Sequence, residues 1–425
     1  MKEKKKILFI QHASGFGGSA MSLLYTLQGI KIYSHEQYEM AVALAKWTKP
    51  LSDFYEHAGF EVIKPDRIDT YEHTQLVEYK LWNPIHLVKE IIQQIRIRKA
   101  RLNTEKLIDR VKPDIIHLNS VVLVGSALAA KKKKIPLVWH VREPSVKGLF
   151  GLRRAILKKY LITLPDKVVF ICNADRESWG NPANGLVVYN FVDFGKFGFN
   201  MERPDEICGI NIPKGDLNIL FLGAVSRVKG GIYLIKAVNK LLAKYPHKKI
   251  YLLFPGGVYN SPHYFIYVIA KVILPLFGQG TYSQKIEKEI SNSPHPDSFL
   301  KFRFVTNVAQ LIAASDVVVF PSIRPHFARP IIEAGAMGKP VIGSHLGGVE
   351  ELILHNKTGF YVKPKSVSDL AEKLDYFLNN KDELSKMGMN GYQIAIQKFQ
   401  AKENVISILN IYRNLIIQTE TRNVF

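Results

Sequence analysis

The chain alternates short, continuous apolar runs with longer stretches in which apolar residues recur every three or four positions. In the first half the runs are ILFI (7–10), MAVALA (40–45), DIIHL (114–118), PLVWHV (136–141) and KVVFI (167–171). The second half repeats the plan with NILFLG (218–223), KIYLLF (249–254), KFRFV (301–305), DVVVF (316–320) and PVIGS (340–344). Runs without polar alternation suit strands of a parallel sheet, which helices cover on both faces. Between the runs, IYLIKAVNKLLAKY (232–245) has the spacing of an amphipathic helix. The last such stretch, NVISILNIYRNLIIQ (404–418), has no strand after it. The pattern predicts an α/β protein of two doubly wound, Rossmann-like domains in series. Their expected bounds are 1–195 and 216–400, with the C-terminal helix joining the first. The segment 196–215, rich in Gly, Pro and charge, is expected to link them. One stretch departs from the pattern. YFIYVIAKVILPLF (264–277) carries a single charge, Lys271, yet is shorter than the roughly 20 residues that span a bilayer. A buried helix and an interfacial segment both remain open for it.

Composition narrows the class. A length of 425 residues suits two or three domains, and 47% hydrophobic with 22% charged residues suits a folded soluble protein. The two cysteines, Cys172 and Cys208, have no ligand-like spacing, which argues against a disulfide scaffold or zinc site and for a reducing, cytoplasmic setting. The basic start MKEKKK precedes only a short apolar run, so it reads as a first strand and not as an export leader. Net charge is +21 and uneven: residues 86–160 hold 18 Lys/Arg against 5 Asp/Glu. Such a region attracts nucleic acid, anionic membrane or phosphorylated ligands. Nucleic acid fits least, because the aromatic-rich basic motifs of RNA-binding modules are missing.

Three loops that follow strands carry candidate chemistry. In GFGGS (15–19), glycines would let backbone N–H groups approach a phosphate at a helix start. A dinucleotide reading would also want an acid near the end of the second strand, and Lys46 stands there. In SRVKGG (226–231), Arg227 and Lys229 enter a helix and would neutralise a diphosphate. In PSIRPHFARPIIEAGAMGKPVIGSHLGGVEELI (321–353), Pro330 suits a first helical turn. The amides of Phe327, Ala328 and Arg329 would then open the helix, with Glu333 one turn in, where an acid accepts hydrogen bonds from a ribose. His140 stands in WHVREP (139–144) with Arg142 and Glu143 as polar neighbours. No Asp-x-Asp triplet and no Walker loop occurs, so no metal clamp and no bound metal are expected.

The order of these motifs resembles the family 4 retaining glycosyltransferases of the GT-B fold. PIIEAGAMGKPVIGSHLGGVEELI followed by NKTGFYV (356–362) carries most of the likeness. The glycine loop, PDIIHLNS (113–120), HVREP and VVYNFVD (187–193) carry it more loosely. The resemblance implies two domains facing a cleft, a nucleotide-diphosphate sugar as donor, retention of configuration, and neither metal nor cofactor. It gives Glu333 the donor ribose, Lys229 the diphosphate and His140 a place beside the donor sugar; Gly17 and Gly18 would lie over the phosphates. The expected acceptor is a saccharide or a polyprenyl-linked saccharide. The expected setting is cytoplasmic, peripheral on an anionic membrane face, in cell-surface polysaccharide or glycolipid synthesis. Three positions depart from the family pattern. The first glutamate of the signature would fall at Pro325, with His326 next to it. A family glycine is replaced by Ala328, and a family arginine by Ala224, where Arg227 is the candidate substitute. Pro325 keeps open a catalytically silent subunit that assists a partner transferase.

Overall fold

In the computed structural model, the apolar runs become two parallel sheets. The structure describes residues 4–72, 84–199, 201–223, 226–255, 282–302, 305 and 307–424. The apolar segment 264–277, Ala224 and residues 303–304 of KFRFV lie outside them. By its contacts the chain divides into one unit of residues 1–191 and 400–425 and a second of residues 192–399.

The N-terminal unit is built on β1 (Lys5–Gln11), β2 (Tyr38–Leu44), β3 (Glu61–Ile63), β4 (Ile115–Leu118), β5 (Leu137–Val141), β6 (Lys167–Phe170) and β7 (Gly185–Val187). All pair in parallel, in the order β3-β2-β1-β4-β5-β6-β7. The order reverses at β1, and ligands of such sheets sit outside the carboxyl ends of the strands near that point. The inner strands are buried on both faces: Ile7, Leu8, Phe9 and Ile10 are all solvent-free, as their continuous apolar run requires. The chain returns to this unit in helix Ala401–Val424. That helix buries Val405, Ile408, Leu409, Tyr412 and Leu415 in the core formed by helix Gly18–Tyr33 and one face of the sheet.

In the second unit a short antiparallel hairpin, β8 (Glu206–Ile207) and β9 (Ile210–Asn211), occupies the segment that the sequence assigns to a linker. The unit's sheet follows: β10 (Leu217–Leu220), β11 (Ile250–Pro255), β12 (Phe299–Phe302), β13 (Val317–Phe320), β14 (Val341–Ser344) and β15 (Gly359–Val362). Its order, β12-β11-β10-β13-β14-β15, is again parallel and reverses at β10. Helix Gly231–Lys244 buries Leu234, Ile235, Val238, Leu241 and Leu242, which is the face its spacing predicts. Both units therefore offer the same kind of place for a ligand: the loops after β1, β4 and β5 in one, and after β10 and β13 in the other.

Candidate active site

In the N-terminal unit the loops after β1, β4, β5 and β7 are joined by side chains. Gln11, the last residue of β1, is solvent-free. Its Oε1 accepts from the His12 amide at 2.9 Å and from Asn119 Nδ2 at 3.2 Å, and its Nε2 donates to Tyr55 at 3.2 Å. Asn119 also donates to the carbonyl of Ser19, which ties the glycine loop down at 3.2 Å. Arg142 donates from Nε to Asn119 Oδ1 at 2.6 Å and from Nη1 to Asn190 Oδ1 at 2.7 Å. Glu143 accepts from the Ser120 hydroxyl at 2.5 Å, the Val121 amide at 3.2 Å and the Arg142 amide at 3.1 Å.

His140 lies inside β5, one residue before its end. It is buried, and Arg142 and His117 sit against it. Burial, then the Arg142 charge, then His117 hold its pKa well below the usual imidazole value. His117 is driven by burial, then Arg142, down to about 3. Gly17 stands just before helix Gly18–Tyr33 with φ −168°, an extended backbone open to any residue, and a Cβ there would meet nothing within 4 Å. The chain's own packing therefore gives no steric reason for glycine at that position.

In the second unit the loops are joined through backbone. Gly230 has φ +73°, and a Cβ there would come 1.8 Å from the Pro321 carbonyl oxygen, so only glycine lets the loops after β10 and β13 meet. The Ile323 amide donates to the Val228 carbonyl at 2.9 Å, and the Ser322 hydroxyl donates to the same carbonyl at 3.1 Å. The His326 amide donates to Gly347 at 3.2 Å. Gly348, with φ +88°, packs its α-carbon against the His326 backbone.

This clamp places two groups on one ring. Lys229 Nζ lies 5.0 Å from the centroid of Phe320, and the His326 imidazole stacks on the same ring at 5.9 Å and 19°. Burial lowers the Lys229 pKa to about 8, and burial followed by the Lys229 charge lowers His326 to about 3. Among the described residues Lys229 has no carboxylate within ion-pair distance. Helix Arg329–Ala336 starts after Ala328 with Pro330 in its first turn and no side chain capping it. Arg329 donates from Nε and Nη2 to Glu333 Oε1 at 3.1 and 2.9 Å. The Glu333 carboxylate is thus engaged along its own helix through one oxygen. Arg227 is exposed in the turn Arg227–Lys229 and makes no ion pair among the described residues. Lys229, His326, Phe327, Ala328, Arg329 and Glu333 therefore share the carboxyl side of β10 and β13, while Gly17, Gly18 and His140 share that side of the other sheet.

Two family models match the chain: "Glycosyl transferases group 1" over residues 202–394 and "Glycosyltransferase Family 4" over residues 72–196, together about three quarters of it. The chain belongs to this family of glycosyltransferases. An uncharacterized glycosyltransferase of Methanocaldococcus jannaschii is 25% identical over 367 residues, covering 82% of this chain and 88% of that protein. A D-inositol 3-phosphate glycosyltransferase of Corynebacterium urealyticum is 26% identical over 274 residues, covering 62% of this chain and 60% of that protein. The fold is GT-B. It matches Anabaena HepE, solved with UDP and glucose, at a TM-score of 0.69 and 18% identity, covering 96% of this chain and 99% of that one.

Sequence reasoning passed over several residues of this glycosyltransferase that the structure gathers near His140: Gln11, His12, His117, Asn119, Asn190 and Tyr412. The signal for some was present, since QH stands at the end of β1 and NS directly follows β4, where a polar residue faces the carboxyl edge. Nothing marks Tyr412, 295 positions from His117. Among the described residues no group of three or more His, Cys, Asp or Glu could hold a metal, and no helix is long and apolar enough to cross a membrane.

Proposed function

We propose that this glycosyltransferase takes its sugar from a nucleotide-diphosphate donor held on the second unit, and transfers it with retention to a saccharide or lipid-linked saccharide. The observation that carries the reading is Lys229: a partly buried cation on Phe320, without a carboxylate partner among the described residues, beside a helix start that no side chain caps. A diphosphate supplies the missing charge. The UDP in the HepE structure supports the same chemistry. In the transfer, the acceptor hydroxyl oxygen bonds to the anomeric carbon as the bond to the phosphate oxygen breaks. The electron pair leaves with the nucleoside diphosphate, and the hydroxyl proton goes to that phosphate. Lys229 and the amides of Phe327, Ala328 and Arg329 stabilise the charge that develops on the leaving group. Glu333 Oε2 accepts from the donor ribose. His326, on the Phe320 ring, takes the place next to the sugar that Pro325 leaves without a carboxylate. Calorimetric titration with a panel of nucleotide sugars, followed by nucleoside diphosphate release with membrane extract as acceptor, tests this. A chain that neither binds nor consumes any donor, and whose Lys229→Ala variant still supports function in cells, is instead a silent subunit of a partner enzyme.

The acceptor side is proposed to meet an anionic membrane surface. Helix Pro84–Val111 packs Gln93, Ile97, Ala100, Thr104 and Ile108 inward. On its other side Val88, Ile91, Ile92, Ile95 and Leu102 form an exposed stripe, with Ile91 and Ile95 each 64% exposed. Arg96, Arg98 and Lys99 flank the stripe. The one carboxylate in that stretch, Glu90, is paired with the buried Arg153 at 3.2 Å. That pair ties the helix to the turn bearing Phe150 and Leu152, which are 75% and 57% exposed. Basic residues at such a surface contribute about 1 kcal/mol each and are screened by salt, whereas the apolar stripe is not. Co-sedimentation is expected on anionic vesicles, weakened by salt and abolished in an Ile91→Glu/Ile95→Glu variant. Equal attachment to neutral and anionic vesicles removes the basic residues from this account, and attachment to neither removes the membrane.

A further inference from the structure

Three rings form a buried line through the N-terminal unit. The Tyr412 hydroxyl is 2.6 Å from His117 Nδ1, and His117 Nε2 is 3.2 Å from His140 Nδ1. Tyr412 and His117 are solvent-free and His140 nearly so. At the end of the line, His140 Nε2 is buried and has no protein partner among the described residues.

Such a line has two self-consistent proton orders. In one, the Tyr412 hydroxyl donates to His117 Nδ1, His117 Nε2–H donates to His140 Nδ1, and the His140 proton sits on Nε2. In the other every proton is reversed, and His140 ends in a bare Nε2 lone pair. Arg142 distinguishes them. Its Nη2 lies 3.5 Å from His140 Nδ1, held there because Nε and Nη1 are fixed on Asn119 and Asn190. A guanidinium only donates. The first order lets it share the Nδ1 lone pair with His117, and the second sets it against another N–H.

We propose that Tyr412, reached from the C-terminal helix, and His117 are positioning residues that hold His140 in one tautomer, with its proton on Nε2, so that it serves as a hydrogen-bond donor and not as a base. Burial keeps both imidazoles neutral and the phenol protonated, which leaves no charged alternative at neutral pH. An N–H left unpaired in the interior is costly until a ligand oxygen accepts from it. A sugar hydroxyl or a phosphate oxygen does so, whereas a group that itself needs to donate does not. The use of the donor on the sugar rests on the transferase reading above; the proton order does not.

The test is nitrogen NMR of the full chain labelled in its histidines, with His140 assigned by loss of its signals in His140→Gln. The expected result is a proton-bearing, pyrrole-type shift at His140 Nε2 and a pyridine-type shift at Nδ1, without any substrate present. The reverse pattern overturns the proposal. In a folded Tyr412→Phe variant the His140 tautomers are expected to mix and kcat/KM to fall roughly tenfold, the lower end of the 10- to 100-fold loss seen when the outer partner of a metal-bound histidine is removed. Nucleotide affinity is expected to stay unchanged. A Tyr412→Phe variant with the wild-type tautomer and kcat/KM overturns the proposal as well. If Tyr412→Phe fails to fold, the wild-type shifts alone decide. If the wild type shows the expected shifts but no transferase activity with any donor, the transferase reading fails while the proton order stands.

Discussion

The two units share one topology but hold their carboxyl-edge loops by different means. In the N-terminal unit Gln11, Asn119, Arg142, Glu143 and Asn190 lock one another by side-chain hydrogen bonds, so each is both scaffold and site. In the second unit Gly230, Gly348 and the Val228 carbonyl hold the loops through backbone, so Lys229 and His326 carry little of the structure. Side-chain removal in the first unit should therefore cost stability. In the second it should cost ligand binding and turnover.

The largest expected effect is on Lys229→Ala, where turnover should fall on the order of 100- to 1,000-fold, the usual loss for one preorganised electrostatic group. Its melting temperature should stay near the wild-type value. A large fall in stability with little change in turnover would erase the contrast. Next comes Asn119→Ala, which strips an acceptor from the buried Arg142 guanidinium and should destabilise the N-terminal unit by about 2–3 kcal/mol. All four tryptophans (Trp47, Trp82, Trp139 and Trp179) lie in that unit, so denaturant unfolding followed by tryptophan fluorescence reads it directly. Ser322→Ala, the matching change in the second unit, should cost under about 1 kcal/mol, because the Ile323 amide still donates to Val228.

The pH dependence sharpens the role of Lys229. Its pKa is about 8 in the free protein, and a bound diphosphate raises it, so binding takes up a proton above that value. Diphosphate affinity should fall about tenfold per unit as pH rises from about 8 toward the bound-state pKa. Lys229→Met should bind weakly at every pH with no such slope. Smaller effects are expected from Pro325→Glu, which should alter preference among donor sugars more than nucleotide affinity, as competition titrations would read. No change in activity is expected with EDTA; loss restored by magnesium or manganese would place a metal in the site.

Much of this was legible along the chain, for a physical reason. A strand buried on both faces needs an unbroken apolar run, and β1, β2, β4, β5, β6, β10, β11, β13 and β14 each announce one. β3 and β7 have three residues each and lie at the edges of their sheet, where half-burial leaves no such run. GFYV of β15 opens on a glycine and lies at the edge of its sheet, so it does not separate from a turn. The Lys-Gly-Gly and Pro330–Glu333 elements were readable because their chemistry is local. The His140 surroundings were not. They come from the ends of β1, β4, β5 and β7 and from a helix nearly 300 residues away, and only the folded sheet order brings them together.

The most direct measurement is a calorimetric titration of UDP and the other nucleoside diphosphates into the wild type and Lys229→Ala at neutral pH. The account predicts saturable binding of at least one nucleotide by the wild type and a loss on the order of 100-fold in the folded variant. Equal affinity in the two proteins, or no binding by the wild type, would contradict it.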